Sequence, residues 1–182
     1  MKQKFQCKTF SMFMRSSIVC VTCALANCAS NTQVVPISTA WKNVDFSETN
    51  LRKATKQLQN SLLDAAKDMN ITNCGDLGSS ALRQSFLTSL QSMQSVNPPM
   101  ASAALISKTR VLGSIQDLRR DAGTLQVGMN QLFAAIGRGE QNPTEREDLT
   151  KSMMRIKVEA EGAIGFINYA EQIADQLQRL GG

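Results

Sequence analysis

Carboxylates are the side chains of this sequence whose type and spacing could support general acid–base chemistry. Glu145, Glu147 and Asp148 lie close together, as paired catalytic carboxylates would. They also fall in the first turn of a predicted helix, where negative side chains stabilise the helix dipole. Glu159 and Glu161 are two residues apart on a helix, so their side chains point to different sides. The carboxylates therefore provide no predicted catalytic pair.

The sequence contains no histidine, which removes the commonest general base and the usual metal ligand. Di-iron sites in helical bundles need Glu-x-x-His pairs, and most small zinc sites combine several cysteines and histidines. A cysteine nucleophile would lack an imidazole base. The glycines on either side of Arg138 match no nucleotide-binding motif. We predict no catalytic residue, no cofactor-binding residue and no metal ligand, and a protein that is not an enzyme.

The net charge of +5 comes from the beginning of the chain. Lys2, Lys4, Lys8 and Arg15 precede every acidic residue, and from Cys28 onward 16 basic residues face 15 acidic ones. Because the later part of the chain is nearly neutral, it lacks the electrostatic footprint of a nucleic-acid-binding protein. No nucleic-acid partner is predicted.

The basic start belongs to a predicted signal peptide, residues 1–27. A short apolar stretch from Ile18 to Ala26 follows the basic residues, and small residues suited to cleavage come next. The stretch is too short to span a hydrocarbon layer of about 30 Å. The pattern therefore predicts export from a bacterial cytoplasm.

The end of the leader, Leu25-Ala26-Asn27-Cys28, resembles the lipobox of bacterial lipoproteins. Leu25 and Ala26 fit that pattern, and Asn27 stands where glycine or alanine is usual. The resemblance implies that Cys28 is the mature N-terminus and carries lipid such as palmitate. It also implies a location at the outer membrane, facing the periplasm, with the lipid as membrane anchor. It covers the leader only and says nothing about the fold of the mature chain.

A second interpretation treats Ala24-Leu25-Ala26 as an ordinary cleavage site. The protein would then be periplasmic or secreted, and Cys28 could form a disulfide with Cys74. If Cys28 is lipidated instead, Cys74 is an unpaired thiol or a small buried apolar residue.

Residues 28–46 are predicted to be a flexible tether because they show no helical or strand period and contain Pro36. Trp41 and Phe46 are expected to dock on the body. An ordered strap leading into the fold is the alternative. The helical domain is then predicted to cover residues 47–182.

Two shorter helices are predicted at the start of this domain. The first runs from Ser47, as N-cap, to Asn70, and its apolar residues fall on one face. The second runs from about Ser79 to Val96 and ends before Pro98, since a proline pushes the preceding residue out of the α region.

The strongest pattern is a pair of heptad seams in the last 80 residues, which predicts a long antiparallel coiled-coil-like hairpin. The loop between them ends one helix on glycine and starts the next at Asn142-Pro143. Residues that face each other across the predicted hairpin have numbers that sum to 278, as Leu118 and Ala160 do. We therefore predict an all-α four-helix bundle, in which the hairpin tip either projects, giving a club shape, or is covered by the first two helices. The seams are Val111, Ile115, Leu118, Ala122, Leu125, Met129, Leu132 and Ile136, then Leu149, Met153, Ile156, Ala160, Ala163, Ile167, Ala170, Ala174 and Leu177.

Five glycines interrupt these two helices, and each costs about 1 kcal/mol relative to alanine. They are Gly113, Gly123, Gly128, Gly162 and Gly165. We expect the first two helices to pack against them; alternatively, they admit another helix or let the hairpin bend.

These features favour a non-enzymatic lipoprotein of the cell envelope that acts as a docking or scaffold component, for example in a secretion, conjugation or pilus system. Its helical faces would bind a protein partner or a second copy of the chain. The alternative is a secreted, membrane-active protein of the pore-forming type, whose hairpin rearranges to enter a bilayer.

Overall fold

The computed structural model describes residues 35–72, 77–93, 98–138 and 143–182. Within these ranges the chain forms four helices, α1 (Ile37–Asp68), α2 (Ser80–Ser92), α3 (Pro98–Gly137) and α4 (Pro143–Gly181), and no strand. The predicted all-α helical bundle is confirmed. The predicted signal peptide, the lipid attachment at Cys28 and the Cys28–Cys74 disulfide lie outside the described residues.

Helix α1 begins ten residues earlier than predicted, so residues 37–46 are helical and the tether prediction is wrong there. The amides of Thr39 and Ala40 donate to the carbonyl oxygen of Pro36, at 3.0 and 2.9 Å. Ser47 is not an N-cap: it is buried within the helix, and its hydroxyl donates to the carbonyl of Asn43 at 2.8 Å. The helix extends backward because the buried positions continue upstream at heptad spacing. They are Ala40, Val44, Ser47, Leu51, Ala54 and Leu58.

The two aromatic residues of this extension behave differently. Trp41 is partly buried, whereas the side chain of Phe46 is 67% exposed. The prediction that Phe46 docks on the body is therefore wrong, because it lies on the outward side of α1. The compact unit to which α1 belongs runs over Pro36–Gly182, not from residue 47.

A left-handed residue ends α1. Asn70 has a φ of 56°, its amide donates to Lys67 at 2.9 Å, and the amide of Ile71 donates to Ala66 at 2.8 Å. These two bonds form a Schellman motif with asparagine in the position that glycine usually takes. The local sequence thus stops the helix close to the predicted end.

Helix α2 is shorter than predicted and ends at Ser92, well before Val96. Ser79 caps its start by accepting a hydrogen bond from the amide of Leu82 at 3.2 Å. In the last turn, Ser92 donates to the carbonyl of Ser89, a side-chain bond that competes with helix continuation. Phe86, Leu87 and Leu90 are its buried residues.

Helices α3 and α4 are 40 and 39 residues long, about 60 Å each at 1.5 Å per residue. Both begin on a proline, which fits the first helical position because its missing N–H has no partner there. Most of the predicted seam is buried; Leu149, Ala122 and Ala160 are partly exposed.

Helix α3 packs against both α1 and α4, and its more extensive interface is with α1. Ser61 and Ser114 share a buried hydrogen bond of 2.8 Å, and Ser107 donates to Asp68 at 2.6 Å. Near the other end of the interface, Val44 lies against Gly128. Helix α1 therefore runs antiparallel to α3 and covers the hairpin far toward its tip, so of the two alternatives for the tip the covered one holds. The reason is the upstream extension of α1.

Helices α3 and α4 are antiparallel, as predicted. Their contacts join Lys108 to Gln178 and Arg119 to Glu171. The numbers of these residues sum to 286 and 290, above the predicted 278. A helical side chain leans toward the N-terminus of its own helix, so its tip lies level with residues of lower number. When two long side chains on antiparallel helices meet at their tips, the residues that carry them therefore have numbers with a larger sum than residues whose backbones lie side by side. The pairing of individual seam layers stays a prediction.

Candidate functional site

The acidic cluster at the start of α4 lies where a helix dipole accommodates negative charge. Glu145, Glu147 and Asp148 are all exposed, and Glu147 forms an ion pair of 2.8 Å with Lys151 one turn later. This arrangement agrees with the dipole interpretation.

Glu159 and Glu161 are separated, as predicted. Glu161 lies 3.9 Å from Lys157, whereas Glu159 accepts hydrogen bonds from Arg52 of α1. On α3, Arg120 pairs with Asp117 and Asp121, and the hydrogen bond to Asp121, together with both negative charges, raises the pKa of Arg120. These groups neutralise one another in pairs.

A network of two carboxylates and two arginines joins α1 to α4. Arg52 holds Glu159 with two hydrogen bonds of 2.6 and 3.0 Å and contacts Glu48 at 2.6 Å. Arg155 reaches Glu48 from α4 at 3.1 Å. Glu48 is buried, and the hydrogen bond to Glu159, with the charges of both carboxylates, raises the pKa of Arg52. Since every carboxylate of the network is held by a guanidinium, the network fixes the spacing of the two helices.

A cleft of about 550 Å³ opens beside this network, between α1, α4 and the start of α2. Its volume lies within the range of roughly 300–1,000 Å³ typical of small-molecule sites. The apolar part of its wall includes Leu77, Ala163 and Phe166, all of them buried. The described lining residues are Arg52, Thr55, Lys56, Gln59, Leu77, Gly78, Arg83, Glu159, Gly162, Ala163 and Phe166.

Positive charge exceeds negative charge among these lining residues. Arg52 forms an ion pair with Glu159. The other two basic lining residues are Lys56 and Arg83, and neither forms an ion pair with a carboxylate of the described ranges. The guanidinium of Arg83 lies 5.9 Å from the centre of the Tyr169 ring, close enough for a cation–π contact. Tyr169 in turn stacks on Phe166, with 6.1 Å between ring centres.

We expected the first two helices to pack against the five helix glycines, and for four of the five this is wrong. Only Gly128 meets another helix: a methyl group there would lie 3.4 Å from Cγ2 of Val44. A methyl group on any of the other four would find no atom of the described residues within 4 Å. These four are Gly113, Gly123, Gly162 and Gly165. Internal packing within the described chain therefore does not explain them.

Exposed apolar side chains accompany one of these glycines on α4. Met154 is 60% exposed and Val158 is 68% exposed. They lie on the same outward side of the helix as Gly165, because spacings of four and seven residues return to one face. We call Met154, Val158 and Gly165 the outer stripe of α4. Single exposed apolar side chains are common on protein surfaces, so the feature of interest is that these two lie next to each other and to an open glycine.

The described ranges hold no group of three or more potential metal-ligating side chains among cysteine, aspartate and glutamate. In the same ranges, no helix combines the length and the apolar character needed to cross a membrane.

Comparison of the chain with protein-family models, with curated proteins and with solved structures finds no match.

Sequence reasoning missed both the cleft and the outer stripe. The cleft is built from three stretches far apart in sequence, near Arg52, Leu77 and Glu159, with side chains of ordinary type. Its only local signal was Gly162, a glycine within a heptad pattern. The stripe had a clearer signal, since Met154 and Val158 fall off the seam of a helix whose core face was already assigned.

Proposed function

We propose that this protein is a non-enzymatic, lipid-anchored component of the bacterial cell envelope that docks a helix of a partner protein on the outer stripe of α4. The observation that supports docking is the combination of exposed Met154 and Val158 with a glycine that has open space above it. A helix that crosses at Gly165 could approach the backbone closely and cover the two apolar side chains. Anchoring rests on the lipobox-like sequence that ends at Cys28.

The rigid framework suits such a role. A docking surface keeps its shape when the helix that bears it is held along its length, and α4 is held by the seam with α3 and by the ion pairs to α1. Because all the carboxylates and arginines of that network are paired with each other, they support the surface and do not provide chemistry. The partner is expected to be another envelope protein with an exposed amphipathic helix.

The test places a photo-crosslinking amino acid at Val158 of the full chain in its host, with Gln57, exposed on α1, as the control position. We expect a discrete adduct at Val158 that Gly165→Leu abolishes, because the added side chain blocks close approach. Gln57→Leu adds the same side chain elsewhere and should leave the adduct intact. No adduct at Val158, or equal adducts at both positions, would refute the docking proposal; an adduct of twice the protein mass would identify the partner as a second copy.

Anchoring is tested separately by the intact mass of the protein from host membranes and by Cys28→Ser. We expect a diacylglyceryl increment on Cys28 and release of the serine variant from the membrane fraction. A mature N-terminus at Asn27 would refute anchoring and favour a periplasmic or secreted protein. Dye release from liposomes by that form would favour the membrane-active alternative.

A further inference from the structure

We infer that the cleft between α1, α2 and α4 binds a small anionic amphiphile, that is, an apolar chain with a single carboxylate or phosphate group. The cleft borders the outer stripe, because Gly162 lies one turn after Val158, but the inference does not depend on the docking proposal. The inference rests on three independent features: the apolar wall, two cations without carboxylate partners in the described ranges, and the glycine at position 162.

The apolar wall provides the surface for a hydrocarbon chain. Phe166 and Ala163 line the cleft from α4, and Leu77 closes it from the segment before α2. All three are less than 10% exposed, so they form part of the core and hold a fixed shape. A chain in contact with this wall would gain about 25 cal/mol for each Å² of apolar surface that leaves water.

The charges at the rim select an anionic head group. Glu159 is the only carboxylate among the described lining residues, and the two hydrogen bonds from Arg52 already satisfy it. Lys56 and Arg83 enter from opposite elements, α1 and α2. The ring of Tyr169 supports Arg83 from one side. An anion at these cations would therefore gain charge-assisted hydrogen bonds, and among the described residues it would displace no carboxylate.

Gly162 is the second, separate indication of a ligand. It lies within α4, where glycine costs about 1 kcal/mol relative to alanine, and no atom of the described chain would contact a methyl group there. It also lines the cleft, so any larger side chain at this position would occupy the cleft volume. The absence of a side chain at Gly162 thus leaves that part of the cleft volume free for a ligand.

Isothermal titration calorimetry on the purified mature protein tests the inference with four probes below their micellar concentrations. Decanoate and decyl phosphate carry both the chain and the charge, decyl glucoside carries the chain alone, and inorganic phosphate carries the charge alone. We expect saturable binding of the first two and at least tenfold weaker binding of the others. Failure of both anionic amphiphiles to bind, or equal binding of decyl glucoside, would overturn the inference.

Two sets of variants assign binding to this cleft. The double variant Lys56→Gln, Arg83→Gln should bind decanoate at least tenfold more weakly. Lys53→Gln, on α1 outside the cleft, should change the affinity for decanoate less than twofold. Gly162→Leu fills the cleft without altering charge and should abolish binding, whereas Gly113→Leu, at another open glycine, should leave it unchanged. Circular dichroism establishes that each variant is folded, and binding that survives Gly162→Leu would exclude the cleft.

Vesicles distinguish the source of the amphiphile. If the protein without its lipid anchor sediments with phosphatidylglycerol vesicles and Gly162→Leu abolishes this, the head group comes from a bilayer lipid. If it binds decanoate but not the vesicles, the ligand is a free amphiphile; both results support the inference.

Discussion

Replacement of the three open glycines outside the cleft by alanine should make the protein more stable. At Gly113 and Gly123 on α3 and Gly165 on α4, no atom in the described part of the chain lies within 4 Å of the position that a methyl group would take. The substitution therefore introduces no clash and removes the conformational freedom that glycine gives the unfolded chain. Each alanine should raise the free energy of unfolding by about 1 kcal/mol.

The three effects should be additive. Gly113 and Gly123 are ten residues apart on one helix, about 15 Å, and Gly165 lies on the other helix, so they share no contact partner. The triple alanine variant should gain about 3 kcal/mol. With a urea m value of about 2 kcal/mol per M, the midpoint of unfolding would rise by about 1.5 M. Urea denaturation followed by circular dichroism measures this shift.

Gly128 provides the matched control. It lies on α3 like Gly113, but a methyl group there already meets Val44 at 3.4 Å. Gly128→Leu should therefore lower the free energy of unfolding by about 1–3 kcal/mol through overpacking, whereas Gly123→Leu should not lower it. If the triple variant unfolds at the same urea concentration as the wild type or a lower one, the argument from open space is wrong.

Three further substitutions test the packing of the bundle, each by its change in the free energy of unfolding. Leu118→Ala should lose about 2–5 kcal/mol, because Leu118 is fully buried in the seam; a loss below 1 kcal/mol would contradict its core position. Ser61→Ala should lose about 1–3 kcal/mol, because it removes the partner of the buried Ser114 hydroxyl, and adding Ser114→Ala should recover part of the loss. Ser79→Ala should lose about 1 kcal/mol by removing the cap of α2, whereas Ser80→Ala, one residue later, should change stability by less than 0.5 kcal/mol.

The helical seams were predictable because a heptad pattern reports the buried face directly. Ile115, Leu125 and Met153 lie in the core, where the spacing placed them. The start of α1 was missed for a physical reason: Ser47 is a favourable N-cap type, but it is also small enough to fill a seam position once Ala40 and Val44 continue the pattern upstream. Ser47 therefore fits both an N-cap and a buried helical position, and the packing of the helix against the rest of the bundle places it in the buried position.

The environment of the glycines could not be predicted, because sequence spacing shows which side of a helix a residue faces but not what lies opposite. Gly128 and Gly123 are five residues apart on α3, yet one touches α1 and the other faces open space. Whether a glycine of α3 is covered depends on the path of α1 along that helix, and the path includes the segment around Val44 that was not predicted to be helical. The upstream extension of α1 is what brings Val44 against Gly128.

Gly162 and Gly165 belong to two adjoining surfaces of α4, the cleft and the outer stripe. They are three residues apart on α4, and each has open space at the position of a side chain. Gly162 lines the cleft beside Phe166, whereas Gly165 shares the outward side with Val158. The seam residue between them, Ala163, is buried and keeps α4 in place. Gly113 and Gly123 are equally open, so open space alone does not indicate a ligand. What distinguishes Gly162 is its place in the wall of the cleft, and what distinguishes Gly165 is its place beside Val158, so the proposed ligand and the proposed partner helix would each offset the stability that glycine costs a helix.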